Sequence, residues 1–191
     1  MAAAGIFTGM TDESSSTERS RNIWAPWRME YIDVLHDGGE EGCFLCRYRD
    51  EQTDEKNLVL WRGPRCFAML NLFPYTGGHS MVAPLEHVAD LADLAGTVMG
   101  EMMEHVRDVK AVLARVTHAQ GFNIGINIGR CAGAGLPGHL HMHVVPRWPG
   151  DTNFMAVFGD VCVIPTALQD LYSKIRRAAE ELKLPKLSNA R

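Results

Sequence analysis

An α+β fold is the class this sequence predicts: a meandering antiparallel sheet, one long helix packed on a face of it, and a closing C-terminal helix. Two observations carry the prediction. Short apolar runs broken by Gly, Pro and Asn lie on both sides of a single long stretch at helical period, and a second helical stretch ends the chain. Strands and helices are segregated instead of alternating as βαβ units, which argues against a parallel sheet. At 191 residues the chain holds enough apolar material for one good core. Its formal charge of −4 offers no electrostatic attraction to nucleic acid or to a membrane surface. There is no apolar run of membrane-spanning length and no basic-then-apolar leader, so a cytoplasmic protein is expected.

Taken in order, residues 1–21 are small, polar and unpatterned and read as a disordered tail, with residues 22–191 as one domain. Trp24 and Trp27 flank Pro26 in a segment aromatic enough to pack on the core. A glycine-rich turn leads to Cys43-Phe44-Leu45-Cys46. That spacing, in a chain with five cysteines, points to metal or redox chemistry, though no thioredoxin-like βαβ setting surrounds it. Leu58–Trp61, Arg65–Leu70 and His79–Ala83 are the next expected strands, divided by Gly63-Pro64 and Pro74-Tyr75-Thr76-Gly77-Gly78.

Between Ala89 and Thr117 the period changes. Leu91, Leu94, Val98, Met102, Val106, Val109, Leu113 and Val116 step by three and four, which predicts an amphipathic helix about 40 Å long that Gly121 ends. His105 and His118 are expected to be solvated. Phe122–Ile128 is a further strand, Val161–Ile164 a short edge strand, and Thr166 the expected cap of a last helix carrying Leu168, Leu171, Ile175, Ala178 and Leu182.

The chemistry concentrates in Gly138-His139-Leu140-His141-Met142-His143-Val144-Val145. On a strand the three histidines share one face and Leu140, Met142 and Val144 the other, buried one. Neighbouring histidines are then about 6–7 Å apart, too far for all three to bind one metal but suited to separate tasks along a substrate. The preceding run from Asn127 through Gly129, Gly133 and Gly135 lacks bulk and lets backbone N–H groups approach a phosphate.

His139-Leu140-His141-Met142-His143-Val144-Val145 matches without a gap the signature of the histidine-triad family of nucleotide hydrolases and transferases. Gly78-His79-Ser80-Met81-Val82-Ala83-Pro84 with His87, and Phe122–Asn127, extend the resemblance over roughly residues 40 to 150. Trp24-Ala25-Pro26-Trp27-Arg28, Ala132–Gly135 and Pro146-Arg147-Trp148 resemble the branch that includes the bacterial diadenosine-tetraphosphate phosphorylases. The resemblance implies the histidine-triad fold, a purine nucleotide substrate and His141 as nucleophile, forming a nucleotidyl-imidazole intermediate. It implies that His143 contacts phosphate or leaving-group oxygens, that Asn127 with Gly133 and Gly135 holds the phosphoryl oxygens, and that Asn71 lies against the ribose. It also implies a structural zinc on Cys43, Cys46, His87 and His139, no organic cofactor, and a homodimer paired through the long helix and a neighbouring strand. The alternatives are a nucleoside phosphoramidate or adenylate hydrolase and, from another class, a non-catalytic nucleotide sensor. One departure stands out. Where the hydrolase branch carries polar side chains before the triad, this chain has Ala134-Gly135-Leu136-Pro137-Gly138, leaving room for inorganic phosphate as acceptor in place of water.

Overall fold

A computed structural model describes residues 42–151 and 167–187. The N-terminal tail, both N-terminal tryptophans, Val161–Ile164 and Thr166 lie outside the described residues. Eight main elements follow in order: α1 (Phe44–Glu51), β1 (Val59–Arg62), β2 (Cys66–Leu70), β3 (Ser80–Pro84), α2 (Gly96–Thr117), β4 (Gly121–Ile126), β5 (Met142–Arg147) and α3 (Leu168–Leu182). The strands form one antiparallel sheet in the order β1-β2-β3-β5-β4. Only β1–β3 meander. The α2 crossover carries the chain past the sheet before β4 forms, which leaves a slot that β5 fills.

Side-chain alternation along the strands builds two cores. Cys66, Ala68, Leu70, Val82, Leu140 and Val144 face α2 and α3, meeting Val98, Met102, Val109, Leu113 and Ile175. Phe67, Met69, Met81 and Ala83 face the other way, onto Leu45 and the two cysteines of α1. The long helix and the C-terminal helix pack on one face as expected, and a further short helix, α1, covers part of the other. It went unrecognised because it is eight residues long, has no acidic first turn and has no side-chain cap. Phe67 and Leu45, both fully buried, each contribute about 1.5–3 kcal/mol of burial free energy.

The long helix begins later than its apolar period suggests. Leu91–Asp93 is a single 3-10 turn capped by the Asp90 carboxylate, and α2 starts only at Gly96, so it is about 33 Å long. His118, exposed and in the left-handed region at φ 54°, ends it. Gly121 instead opens β4. The position before α3 is held by Ala167, without a side-chain cap bond. His105 was expected in solvent and is fully buried, accepting a 2.7 Å hydrogen bond on Nδ1 from Trp61 Nε1. It falls on the same stripe as Met102 and Val109, so the helix turns it inward.

Candidate active site and metal centre

β5 starts at Met142, not at His139. Leu140 N–H donates to the Val88 carbonyl at 2.6 Å, outside the ladder, and the two residues beside it are held by their own side chains. The three imidazoles then take separate surroundings, as their alternation implies.

His139 is drawn to α1. Its Nδ1 lies 3.2 Å from Cys43 Sγ and 3.4 Å from Cys46 Sγ, and His87 Nδ1 lies 3.2 Å from Cys46 Sγ. Cys43 occupies the N-cap position of α1 and Cys46 comes three residues later, so one helical turn puts both sulfurs on the same side. The four donor atoms lie within 4.8 Å of one another. A tetrahedral zinc with about 2.3 Å bonds to sulfur and about 2.0–2.1 Å to nitrogen has edges of about 3.4–3.8 Å, so this set fits a metal with little adjustment. His139 Nε2 meets the Pro84 carbonyl at 3.0 Å, which puts the ring proton on Nε2 and turns the Nδ1 lone pair to the cluster. Burial, chiefly, pushes the His139 pKa down to about 4, keeping the ring in the neutral form a metal requires.

His141 is 5 % exposed. Its Nδ1–H donates to the His139 carbonyl at 2.8 Å, which leaves the Nε2 lone pair uncommitted by that bond. Burial lowers its pKa, against the opposing effect of that carbonyl, so the ring is neutral at pH 7.

His143 is half-buried, its ring 4.9 Å from that of His141. A fourth histidine stands behind it. His79 shares the face of Met81, which is paired with His143 across β3 and β5. Tyr75 N–H donates to His79 Nδ1 at 3.1 Å and the Asn71 amide lies 3.3 Å from the same nitrogen, so His79 carries its proton on Nε2. That proton points to His143 Nδ1 at 3.0 Å. His143 in turn holds its own proton on Nε2, available to a phosphoryl oxygen. The Tyr75 ring covers His79 at 4.3 Å. Sequence reasoning assigned no role to His79. The signal was its strand parity with Met81 and Ala83, which sets it on the face that the triad occupies.

Asn127 and His143 line one trench. Asn71 is buried, its carboxamide oxygen accepting from Phe73 N–H at 2.9 Å. Gly133, at φ 83°, closes the 3-10 turn of Arg130–Ala132 by donating its N–H to the Arg130 carbonyl at 2.9 Å. That N–H is engaged within the turn.

A neutral, buried imidazole with one nitrogen anchored, beside a second imidazole with a proton directed outward, suits covalent attack on phosphorus followed by charge stabilisation at its oxygens. Known proteins are similar to this chain in sequence and in fold. Residues 52–150 match the HIT domain model. Over 158 residues, 80 % of this chain and 81 % of the relative, the sequence is 38 % identical to the "AP-4-A phosphorylase" of Mycobacterium tuberculosis. A shorter stretch of 93 residues, half of that relative, is 37 % identical to a "Bis(5'-nucleosyl)-tetraphosphatase [asymmetrical]" of Schizosaccharomyces pombe. The crystal structure of a Zn-bound histidine triad family protein from Mycobacterium smegmatis superposes with a TM-score of 0.63 at 25 % identity, covering 76 % of this chain and 98 % of that one. With the domain model matched over more than half of the chain and a relative 38 % identical over most of both sequences, the chain belongs to the HIT domain family.

Proposed function

We propose that this protein cleaves dinucleoside polyphosphates, diadenosine tetraphosphate above all, through a nucleotidyl-histidine intermediate, with inorganic phosphate as the acceptor. The observation that carries the reading is the His141 anchor: Nδ1–H on the His139 carbonyl aims Nε2 as a nucleophile. Nε2 attacks the α-phosphorus, a nitrogen–phosphorus bond forms, and the α-phosphoanhydride breaks to release ATP. A phosphate oxygen then displaces His141 and gives ADP. Neighbouring His143 donates its Nε2–H to phosphoryl or departing oxygens, N–H groups around Gly133 and Gly135 with Asn127 hold the remaining oxygens, and Asn71 stands at the ribose.

The similarity to a phosphorylase over most of both chains supports phosphate as acceptor, as does the apolar loop Ala134–Gly138. The four-donor cluster and the zinc-bound relative support zinc on Cys43, Cys46, His87 and His139. The metal when bound ties α1 to the catalytic strand, and the chain's own residues do the chemistry. For a homodimer the support is an unpaired sheet edge and exposed apolar side chains: β4 is a sheet edge with Ile124 exposed, and Met99 and Met103 are exposed on α2. No helix among the described residues is long and apolar enough to cross a membrane, and the described cysteines are all free thiols, which suits a cytoplasmic setting.

Turnover tests the reading. Wild-type protein given diadenosine tetraphosphate and inorganic phosphate should yield ADP and ATP. His141→Asn should lose turnover while retaining nucleotide binding. Turnover at the wild-type rate in that variant would overturn the mechanism, and AMP as product in the presence of phosphate would name water as the acceptor.

A further inference from the structure

Beyond the triad a trench of about 470 Å³ runs along β4 and β5 under the loop carrying Tyr75 and Thr76. His143 stands at one end and Arg147 at the other, with Tyr75, Thr76, Asn123 and Asn127 among the walls. Strand register explains the line: Gly125 pairs with His143, Asn123 with Val145 and Gly121 with Arg147. Thr76 Oγ1 donates to the Pro146 carbonyl at 3.2 Å and holds the overhanging loop against β5.

We propose that this trench seats the departing half of the substrate, the phosphate chain beyond the α-phosphorus, with Arg147 gripping its far part. The inference rests on reading His141 as the nucleophile. Displacement at phosphorus expels the leaving group from the side opposite the attacking nitrogen, and the neighbour that offers an N–H there is His143, at the mouth of the trench.

Three features fit a polyanion. No carboxylate lines the trench, and Arg147 is its one charged side chain among the lining residues. The Asp151 carboxylate clamps one edge of the guanidinium at 2.5 and 2.8 Å, and Nη1 donates to Asn123 Oδ1 at 2.9 Å. Two of the five guanidinium N–H groups are left over, and the Asn123 amide N–H groups are turned away from Arg147. The floor is bare. A Cβ at Gly125 would meet nothing within 4 Å, and a glycine inside a strand marks a place where another group approaches the backbone closely.

Length is then read by position. His143 and Arg147 are four residues apart, about 13 Å along the strand. One phosphoanhydride unit is nearly as long as one strand residue, so a chain of three phosphates comes within reach of the Arg147 side chain and a single small leaving group does not. The acceptor phosphate enters on the same side that the leaving group vacates, at the His143 end.

Two substrates with the same adenylyl group test this with the zinc-loaded full chain: diadenosine tetraphosphate and the p-nitrophenyl ester of AMP. Arg147→Gln keeps a side chain in reach of Asn123 and removes the charge. Asn123→Leu narrows the trench at the Val145 pair, one step along from His143, and so carries the test if the first variant folds poorly. Either change should lower kcat/KM for the tetraphosphate about ten- to hundredfold, the loss of hydrogen bonds to a charged group, and mainly through KM. The aryl ester should stay within about twofold of wild type, because its leaving group ends before the trench deepens. Inorganic tripolyphosphate should inhibit wild type competitively and inhibit both variants more weakly. Equal losses on both substrates, or no loss on the tetraphosphate, would overturn the trench while leaving His141 in place. Wild-type protein inactive on both substrates would overturn the nucleophile reading, and the trench with it.

Discussion

Replacing His79 tests whether a fully buried histidine sets the proton on His143, the ring proposed to meet the phosphoryl oxygens. His79 is fully buried, with Nδ1 accepting from Tyr75 N–H at 3.1 Å and Nε2 donating to His143 Nδ1 at 3.0 Å. His79→Leu removes that donor, and His143 becomes free to carry its proton on either nitrogen. Free choice is a smaller loss than a locked wrong tautomer, which costs a serine-protease histidine about 10⁴ in kcat. What disappears is one neutral hydrogen bond, net about 0.5–1.5 kcal/mol, or roughly two- to twelvefold in kcat with KM little changed. His79→Gln should recover most of it, since its amide nitrogen can donate where Nε2 did. Leu also leaves Tyr75 N–H and the Asn71 amide without that acceptor, so stability falls as well, and rates must be taken on the folded fraction. Nitrogen-15 shifts of His143 separate the positioning effect from a packing effect: the Nε2–H form should dominate in wild type and His79→Gln, and the two tautomers should mix in His79→Leu. An unchanged tautomer with an unchanged kcat in the Leu variant would refute the reasoning.

Three further outcomes are expected. Elemental analysis of protein purified without chelator should find about one zinc per chain, and Cys43→Ser should lose both the metal and several degrees of Tm; an unchanged melt would make the cysteines ordinary thiols. Gly63→Ala should destabilise by about 1–3 kcal/mol, read from denaturant melts, because its Cβ would lie 2.6 Å from both Glu101 Oε1 and His105 Nε2, and Glu101 Oε1 is already held by the Arg65 and Cys66 N–H groups; wild-type stability would show that the pair moves aside. Burial holds the His105 pKa below its ordinary value against Glu101, Asp108 and Glu104, so the unfolded chain takes up that proton first as pH falls. This contribution to stability is full above about pH 6.5 and is lost below it, by at most about 1.4 kcal/mol per pH unit for one proton, and melts of His105→Gln should show a flatter acid limb than wild type.

The part of the fold legible in the sequence was the part fixed by local period. The β1–β3 runs, the body of α2 and the alternating histidines all declare themselves by which side chains share a face. What escaped was set by distant partners. Leu91 and Leu94 continue the apolar period of α2, yet Asp90 caps a separate 3-10 turn and the helix proper waits for Gly96. His105 looks like a surface residue until Trp61, 44 positions earlier, supplies the hydrogen bond that permits burial. The same holds for β5, whose place between β3 and β4 follows from the crossover and not from any residue in the strand. Cys43 and Cys46 were visible as a pair, and the family resemblance supplied His87 and His139. The His79 proton relay is the clearest case, because its meaning depends on an atom of His143, 64 residues away.

These long-range contacts also connect the two sites that the spacing of the triad separates. His139 presents its ring to the cysteines and its carbonyl to His141 Nδ1. Whatever fixes that ring fixes the peptide beside it, and the peptide in turn sets the tautomer and orientation of His141. His143 has its own support through His79, which contacts Asn71 and the Tyr75 backbone but none of the four cluster residues in the hydrogen bonds described. His141 and His143 are therefore oriented from opposite ends of the triad, one through His139 beside the cysteines of α1 and the other by a loop anchored on Pro146. That division explains how three histidines on one short segment can be given three tasks: each ring is committed by a different neighbour, and the proposed chemistry draws only on the nitrogens those neighbours leave open.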